Sequence, residues 1–160
     1  VMRNCRIKNG HQLIAIGSEL SAGIENVLVD NCHFDAADSA TPSTINNVLY
    51  VKTNERRGGY VRNIHMSNVS ATKVAGGVLC VETDVLYQWK NLVPTYERRL
   101  TPIQGLHVSN ITVGEAKFVC RITAEREMPV RDVSLGRIKV QKVLDAPVLT
   151  ENVVNFINES

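Results

Sequence analysis

Aromatic residues are scarce, with one Trp, four Tyr and three Phe among 160 residues. Cysteine stops at four, with no CxxC pair and no Cys/His cluster at zinc spacing. That excludes a metal ribbon and leaves too few bridges for a disulfide scaffold at this length. No apolar run approaches the roughly 20 residues of a membrane helix. Val1-Met2-Arg3-Asn4-Cys5 lacks the basic-then-apolar order of a signal peptide. An excess of one charge is also missing: 18 Lys and Arg against 16 Asp and Glu leave +2. A nucleic-acid protein defined by bulk charge is thereby excluded, and any anion recognition has to be local. With 44% hydrophobic and 21% charged residues, the chain is not disordered either.

What the chain has is valine and asparagine, 22 and 14 residues respectively. That mixture favours short strands joined by Asn-rich turns. The strands repeat. Gly23 to Phe34 matches Tyr60 to Ala71 position by position, Pro102 to Val113 is a third copy, and Pro129 to Val140 is a fourth. Val1 to Ile7 reads as the tail of another copy. The turn position held by Asn4, Asn31, Asn68, Asn110 and Arg137 recurs at spacings of 27, 37, 42 and 27 residues. Between copies lies a second apolar segment: Leu13 to Ile16, Val48 to Val51, Val78 to Val81, Phe118 to Arg121, and more weakly Pro147 to Leu149. Two or three short strands per turn of about 25 residues, each burying its apolar face only by stacking on the next, predict an all-β fold. The expectation is a right-handed parallel β-helix of about five coils, one partial domain over 1–160, with 151–160 covering its C-terminal end.

Several residues have structural explanations in this frame. The asparagines would stack in one column and hydrogen-bond their neighbours and the turn backbone. Cys5 and Cys32 would be interior neighbours on adjacent coils, as buried thiols, although strand spacing puts a disulfide within reach. His33, His65 and His107 are expected on the surface without a carboxylate partner. Met66, Met128 and Trp89 read as packing or loop residues. No cofactor box or metal-ligand spacing is present.

Asn9-Gly10-His11, then Ile16-Gly17-Ser18, then Tyr50-Val51-Lys52-Thr53 and Arg57-Gly58-Gly59-Tyr60 resemble glycoside hydrolase family 28, the polygalacturonases. That family carries Gly-His-Gly before Ile-Gly-Ser, and Arg-Ile-Lys before a Gly-Gly loop. Here Gln12 replaces the second Gly and Tyr50 the Arg. Thr83 to Trp89, with Pro94 to Pro102, looks like the bacterial branch acting on pectic oligosaccharides. The resemblance implies hydrolysis of galacturonosyl linkages and a periplasmic or extracellular location. It places His11 beside the catalytic carboxylates as a supporting group and Lys52 on a substrate carboxylate. Tyr50, Arg57, Tyr87 and Arg121 complete the expected substrate-binding set, with no cofactor, no metal, no membrane and no nucleic acid.

The family's Asn-Thr-Asp and Asp-Asp motifs, which supply its acid and base, are absent. Hydrolysis with inversion needs two carboxyl groups about 6.5 to 9.5 Å apart. Asp35 and Asp38 are the tempting pair, in a variable loop. The chain is therefore expected to be the C-terminal part of such an enzyme, inert alone, with an acid-free polysaccharide-binding β-helix as the alternative and an assembly element as a third reading. Aligning Ile14/Ile16, Leu49/Val51, Val78/Cys80 and Phe118/Cys120 as inward pairs predicts one outward column of Gly17, Lys52, Val81 and Arg121. Lys52 and Arg121 would then lie near 10 Å apart. The first coil, around Cys5, Ile14 and Ile16, is expected to be uncovered and to associate with missing N-terminal coils or a second copy.

Overall fold

The computed structural model describes residues 1–35, 45–85 and 97–159. Every element among them is a strand: β1 (Met2–Arg3), β2 (Arg6–Ile7), β3 (Gln12–Ile16), β4 (Gly23–Phe34), β5 (Asn47–Lys52), β6 (Tyr60–Lys73), β7 (Gly77–Glu82), β8 (Ile103–Ala116), β9 (Phe118–Thr123), β10 (Val130–Val143), β11 (Val148–Glu151) and β12 (Val153–Glu159). From β3 onward, successive strands alternate between two sheets. The first sheet runs β1-β4-β6-β8-β10-β12, with β2 also on β4, and the second runs β11-β9-β7-β5-β3. All ladders between these strands are parallel.

The long strands of the first sheet are bent twice, and the bends explain the asparagines. The predicted column of Asn4, Asn31, Asn68, Asn110 and Arg137 has φ of 57°, 51°, 55°, 53° and 52°. A second column, Asn26, Asn63, Gly105, Asp132 and Asn155, has φ of 57°, 54°, 73°, 55° and 59°. Left-handed backbone costs most side chains roughly 1–2 kcal/mol, and Asn tolerates it because its short amide hydrogen-bonds locally. The strand ladder skips both columns, as where Glu25 pairs Arg62 and Val27 pairs Ile64. Their amides then pair with the neighbouring strand. Asn31 Nδ2 donates to Asn4 Oδ1 at 2.7 Å, Asn110 Nδ2 to Asn68 Oδ1 at 2.5 Å, and Asn63 Nδ2 to Asn26 Oδ1 at 3.1 Å. Asp132 accepts from Asn155 at 2.6 Å and Gln104 at 2.7 Å.

The core is a stack of like rows. Val29, Met66, Val108 and Leu135 are aligned by the ladders of the first sheet, and all are at most 1% exposed. Opposite them, Leu49, Leu79 and Cys120 form one row of the second sheet, and Val51, Val81 and Ile122 the next. Each fully buried aliphatic side chain contributes about 1.5–3 kcal/mol relative to exposure.

Three expectations need correction. The inward pairs of β7 and β9 are Leu79/Val81 and Cys120/Ile122, not Val78/Cys80 and Phe118/Cys120. Consecutive residues are buried here, Gly77 to Val81 and Phe118 to Cys120, so alternation carried no register information. The layer around Cys5, Ile14 and Ile16 is not laid open, because Ile16 is only 5% exposed, while Cys5 and Ile14 are half-buried. Apart from Val1, the exposed large aliphatics lie at the other end, at Val143, Leu144, Leu149, Val154 and Ile157. The segment expected to cover that end is β12, an in-register edge strand on β10. Cys5 and Cys32 do occupy adjacent rungs, between the aligned pairs Arg3/Asp30 and Arg6/His33, as free thiols. The third correction concerns His33, whose Nε2 lies 2.5 Å from Asp35 Oδ1, so it does have a carboxylate partner.

Candidate functional site

The outward face of the second sheet forms an open groove of about 650 Å³. Its floor is two rows of side chains. Ala15, Tyr50, Cys80 and Arg121 make one, and Lys52 and Glu82 stand side by side in the next. Its wall is the chain entering each strand: His11 and Gln12, Asn46 and Asn47, Ala75 and Gly76, Lys117 and Phe118. Backbone bonds hold that wall together from one strand's approach to the next, with Asn46 N donating to His11 O at 2.8 Å, Gly76 N to Asn46 O at 2.6 Å and Lys117 N to Gly76 O at 2.7 Å.

Side chains reinforce the same edge. Asn47 N donates to Gln12 Oε1 at 2.8 Å, and Gly77 N to Asn47 Oδ1 at 2.9 Å. Gln12, which replaces a family glycine, thus carries a structural hydrogen bond. Gly17 has φ +82°, and a Cβ there would overlap the Lys52 carbonyl oxygen. A side chain at position 17 would displace the strand that presents Lys52.

Charge in the groove is mixed and mainly positive. Lys52, Lys117 and Arg121 face one carboxylate, Glu82, among the described lining residues. Tyr50 Oη donates to Glu82 Oε2, and Lys52 Nζ lies 5.6 Å from the Tyr50 ring centroid. Arg121 lies 4.4 Å over the Phe118 ring and donates from Nη2 to Asp145 Oδ2 at 2.6 Å. Its Nε is buried without a hydrogen-bond partner among the described residues. Burial, with the Glu82 charge behind it, pushes the Cys80 thiol up to about 12, so it stays neutral and is not a nucleophile here.

Four of the expected site residues, His11, Tyr50, Lys52 and Arg121, therefore meet in one groove. The predicted Gly17-Lys52-Val81-Arg121 column holds for Gly17 beside Lys52 and fails beyond it. Lys52 pairs with Glu82, and Arg121 lies two strands on in the Tyr50 row. Two rungs and two residues separate their backbones by about 12 Å. Arg57 is elsewhere, in a turn where Nη1 donates to Ser21 Oγ at 3.3 Å. Of the neighbouring loop arginines, Arg98 is tied to Glu55, Glu125 and Glu127, and Arg99 to Glu97. Tyr87, Trp89 and Asp38 lie outside the described residues.

Glu82 and Lys117 are the groove residues that sequence reasoning missed. Both flank apolar runs whose register was ambiguous, and setting Leu79 inward would have put Glu82 beside Lys52. Asp35 is not in the groove. Arg6 and His33 both bond it, the Arg6 contact first among the causes that hold its carboxyl below the usual range. A second carboxylate cluster, Glu55, Asp84 and Glu125, surrounds a space of only about 10 Å³, too small for a sugar ring. Burial, then the Glu55 charge, raises the Asp84 carboxyl.

The groove can bind anions through three cations and present one carboxylate. Among its described residues it does not assemble the carboxyl pair that glycoside hydrolysis requires. Neither a protein-family model nor a curated protein matches this chain.

Proposed function

We propose that the two sheets are faces of a right-handed parallel β-helix of about five coils, and that its groove binds the carboxylates of a pectic, galacturonate-containing polysaccharide. In this reading the chain supplies the C-terminal substrate-binding wall of a polygalacturonase-like glycoside hydrolase, and a periplasmic or extracellular location follows from the resemblance. The observation that carries it is the meeting of His11, Tyr50, Lys52 and Arg121 on one open groove, joined there by Lys117. The alternation of strands between two all-parallel sheets supports the coil geometry. An acidic polysaccharide fits an open, cationic cleft because its charges repeat along an extended chain, and no cofactor is needed to hold it.

A second reading, a binding module that holds the polysaccharide without cutting it, is favoured by the solitary Glu82. Calorimetry with trigalacturonate separates both from a purely structural role. Lys52→Ala should weaken binding about fivefold, or roughly 1 kcal/mol, with the loss shrinking at high salt. Equal affinity of wild type and variant would remove Lys52 from the site. An absence of binding by the wild type would reject the groove as a uronate site. Cleavage of polygalacturonate by a longer form carrying upstream carboxylates would select the enzyme over the binding module.

A further inference from the structure

On the outward face of the first sheet, Arg6, His33, Ser70, Thr112 and Lys139 fall in one row, each on the rung next to the last. Within it, His33 Nδ1 lies 2.6 Å from Ser70 Oγ and His33 Nε2 lies 2.5 Å from Asp35 Oδ1. The other Asp35 oxygen takes the Arg6 guanidinium. Arg6 and His33 both bond Asp35, which accepts as a carboxylate. In the neutral tautomer with the proton on Nε2, the His33 Nδ1 lone pair accepts the Ser70 hydroxyl. The result is a nucleophile, a base hydrogen-bonded to it and a carboxylate orienting that base, the arrangement by which serine hydroxyls are activated.

We propose that Ser70 is a nucleophile for acyl transfer, activated by His33 and Asp35, and that it takes small acyl esters of the acetyl type. Ser70 Oγ attacks the acyl carbon while its proton passes to His33 Nδ1. The bond from the acyl carbon to the leaving alcohol then breaks, the alcohol departs with that proton, and an acyl-serine remains. Water attacks it along the same path, giving its proton to His33, and Ser70 is restored as the free acid leaves. Asp35 stabilises the imidazolium formed in both steps. The small acyl group follows from the setting, an open sheet face with His33 42% and Asp35 25% exposed. Thr112, the next residue in the row, carries a further hydroxyl.

The molecule contains its own control. Ser134 Oγ lies 2.8 Å from His107 Nδ1 on the same face, but among the described residues His107 makes no hydrogen bond to a carboxylate. The test is to incubate the folded chain with a fluorophosphonate probe and with p-nitrophenyl acetate, then locate the adduct by peptide mass spectrometry. The expected result is a single adduct on Ser70, absent from Ser70→Ala and His33→Ala. Asp35→Asn should slow it at least tenfold. Circular dichroism confirms that each variant is folded, and the wild-type adduct needs no variant at all. Labelling of Ser70 no greater than that of Ser134, or labelling that survives His33→Ala, would overturn the proposal.

Discussion

Replacing Asn68 tests whether the left-handed columns hold neighbouring strands together. Asn68 has φ 55° and links three strands, β4, β6 and β8. Its Nδ2 donates to Asp30 Oδ1 at 2.7 Å, and its Oδ1 accepts from Asn110. Alanine loses both hydrogen bonds, each worth about 0.5–1.5 kcal/mol. It also takes up left-handed backbone, at roughly 1–2 kcal/mol, part of which Asn avoids. The total is about 2–4 kcal/mol. At roughly 2–4 °C per kcal/mol for a domain of this size, the Tm should fall by about 4–16 °C. Glycine loses the same hydrogen bonds without the steric penalty, so Asn68→Gly should be about 1 kcal/mol less damaging than Asn68→Ala despite its greater unfolded-state entropy. The assay is urea denaturation followed by far-ultraviolet circular dichroism, with the midpoint compared at constant m-value. An alanine variant as stable as the glycine variant would refute the backbone argument. If both matched wild type, the amide ladder would contribute nothing.

Acid should destabilise the fold in a way that depends on two lysines. Hydrogen bonds from Lys142 and Lys73 lower the Glu115 carboxyl to about 2. Its contribution is therefore present above its unfolded value of about 4.3 and lost as pH falls towards 2. Lys73→Met with Lys142→Met should flatten the decline in urea midpoint between pH 5 and 2, and an unchanged decline would contradict this. Thiol labelling gives a second check, since burial pushes Cys80 and Cys120 up to about 12 and Cys32 is 2% exposed. Iodoacetamide at pH 8 should modify Cys5 alone in the native chain and all four thiols in urea; rapid native labelling of Cys80 would show that the groove floor opens. The isolated chain should release no reducing ends from polygalacturonate, and turnover abolished by Glu82→Gln would show that one groove carboxylate suffices.

The columns of the first sheet were legible because Asn at left-handed positions has few substitutes, so Asn4, Asn31, Asn68 and Asn110 mark its successive strands by themselves. The companion column has a fixed spacing to the first, since Asn26, Asn63, Gly105 and Asp132 each lie five residues before one of its members. Its mixture of Asn, Gly and Asp hid it. The second sheet was harder to read. Strands buried on consecutive residues give no alternation, so β7 and β9 slipped in register and took Glu82 and Arg121 to the wrong rows. The groove survived that error because His11, Tyr50 and Lys52 lie on β5 and the chain before β3, where the register was right. His33 was misread for another reason. Its partner Asp35 is two residues away, and whether such a neighbour faces the ring depends on how the chain leaves the strand.

The central claim is that the cationic groove of the second sheet recognises uronate carboxylates. Its most direct test is a titration of the ¹⁵N-labelled chain with trigalacturonate, followed by ¹H–¹⁵N correlation spectra, with neutral galactotriose as the control. Saturable shifts should centre on Tyr50, Lys52, Glu82, Lys117 and Arg121, fade with added salt, and be absent with the neutral sugar. Shifts confined to the first sheet, equal shifts with both sugars, or none at millimolar ligand would contradict it.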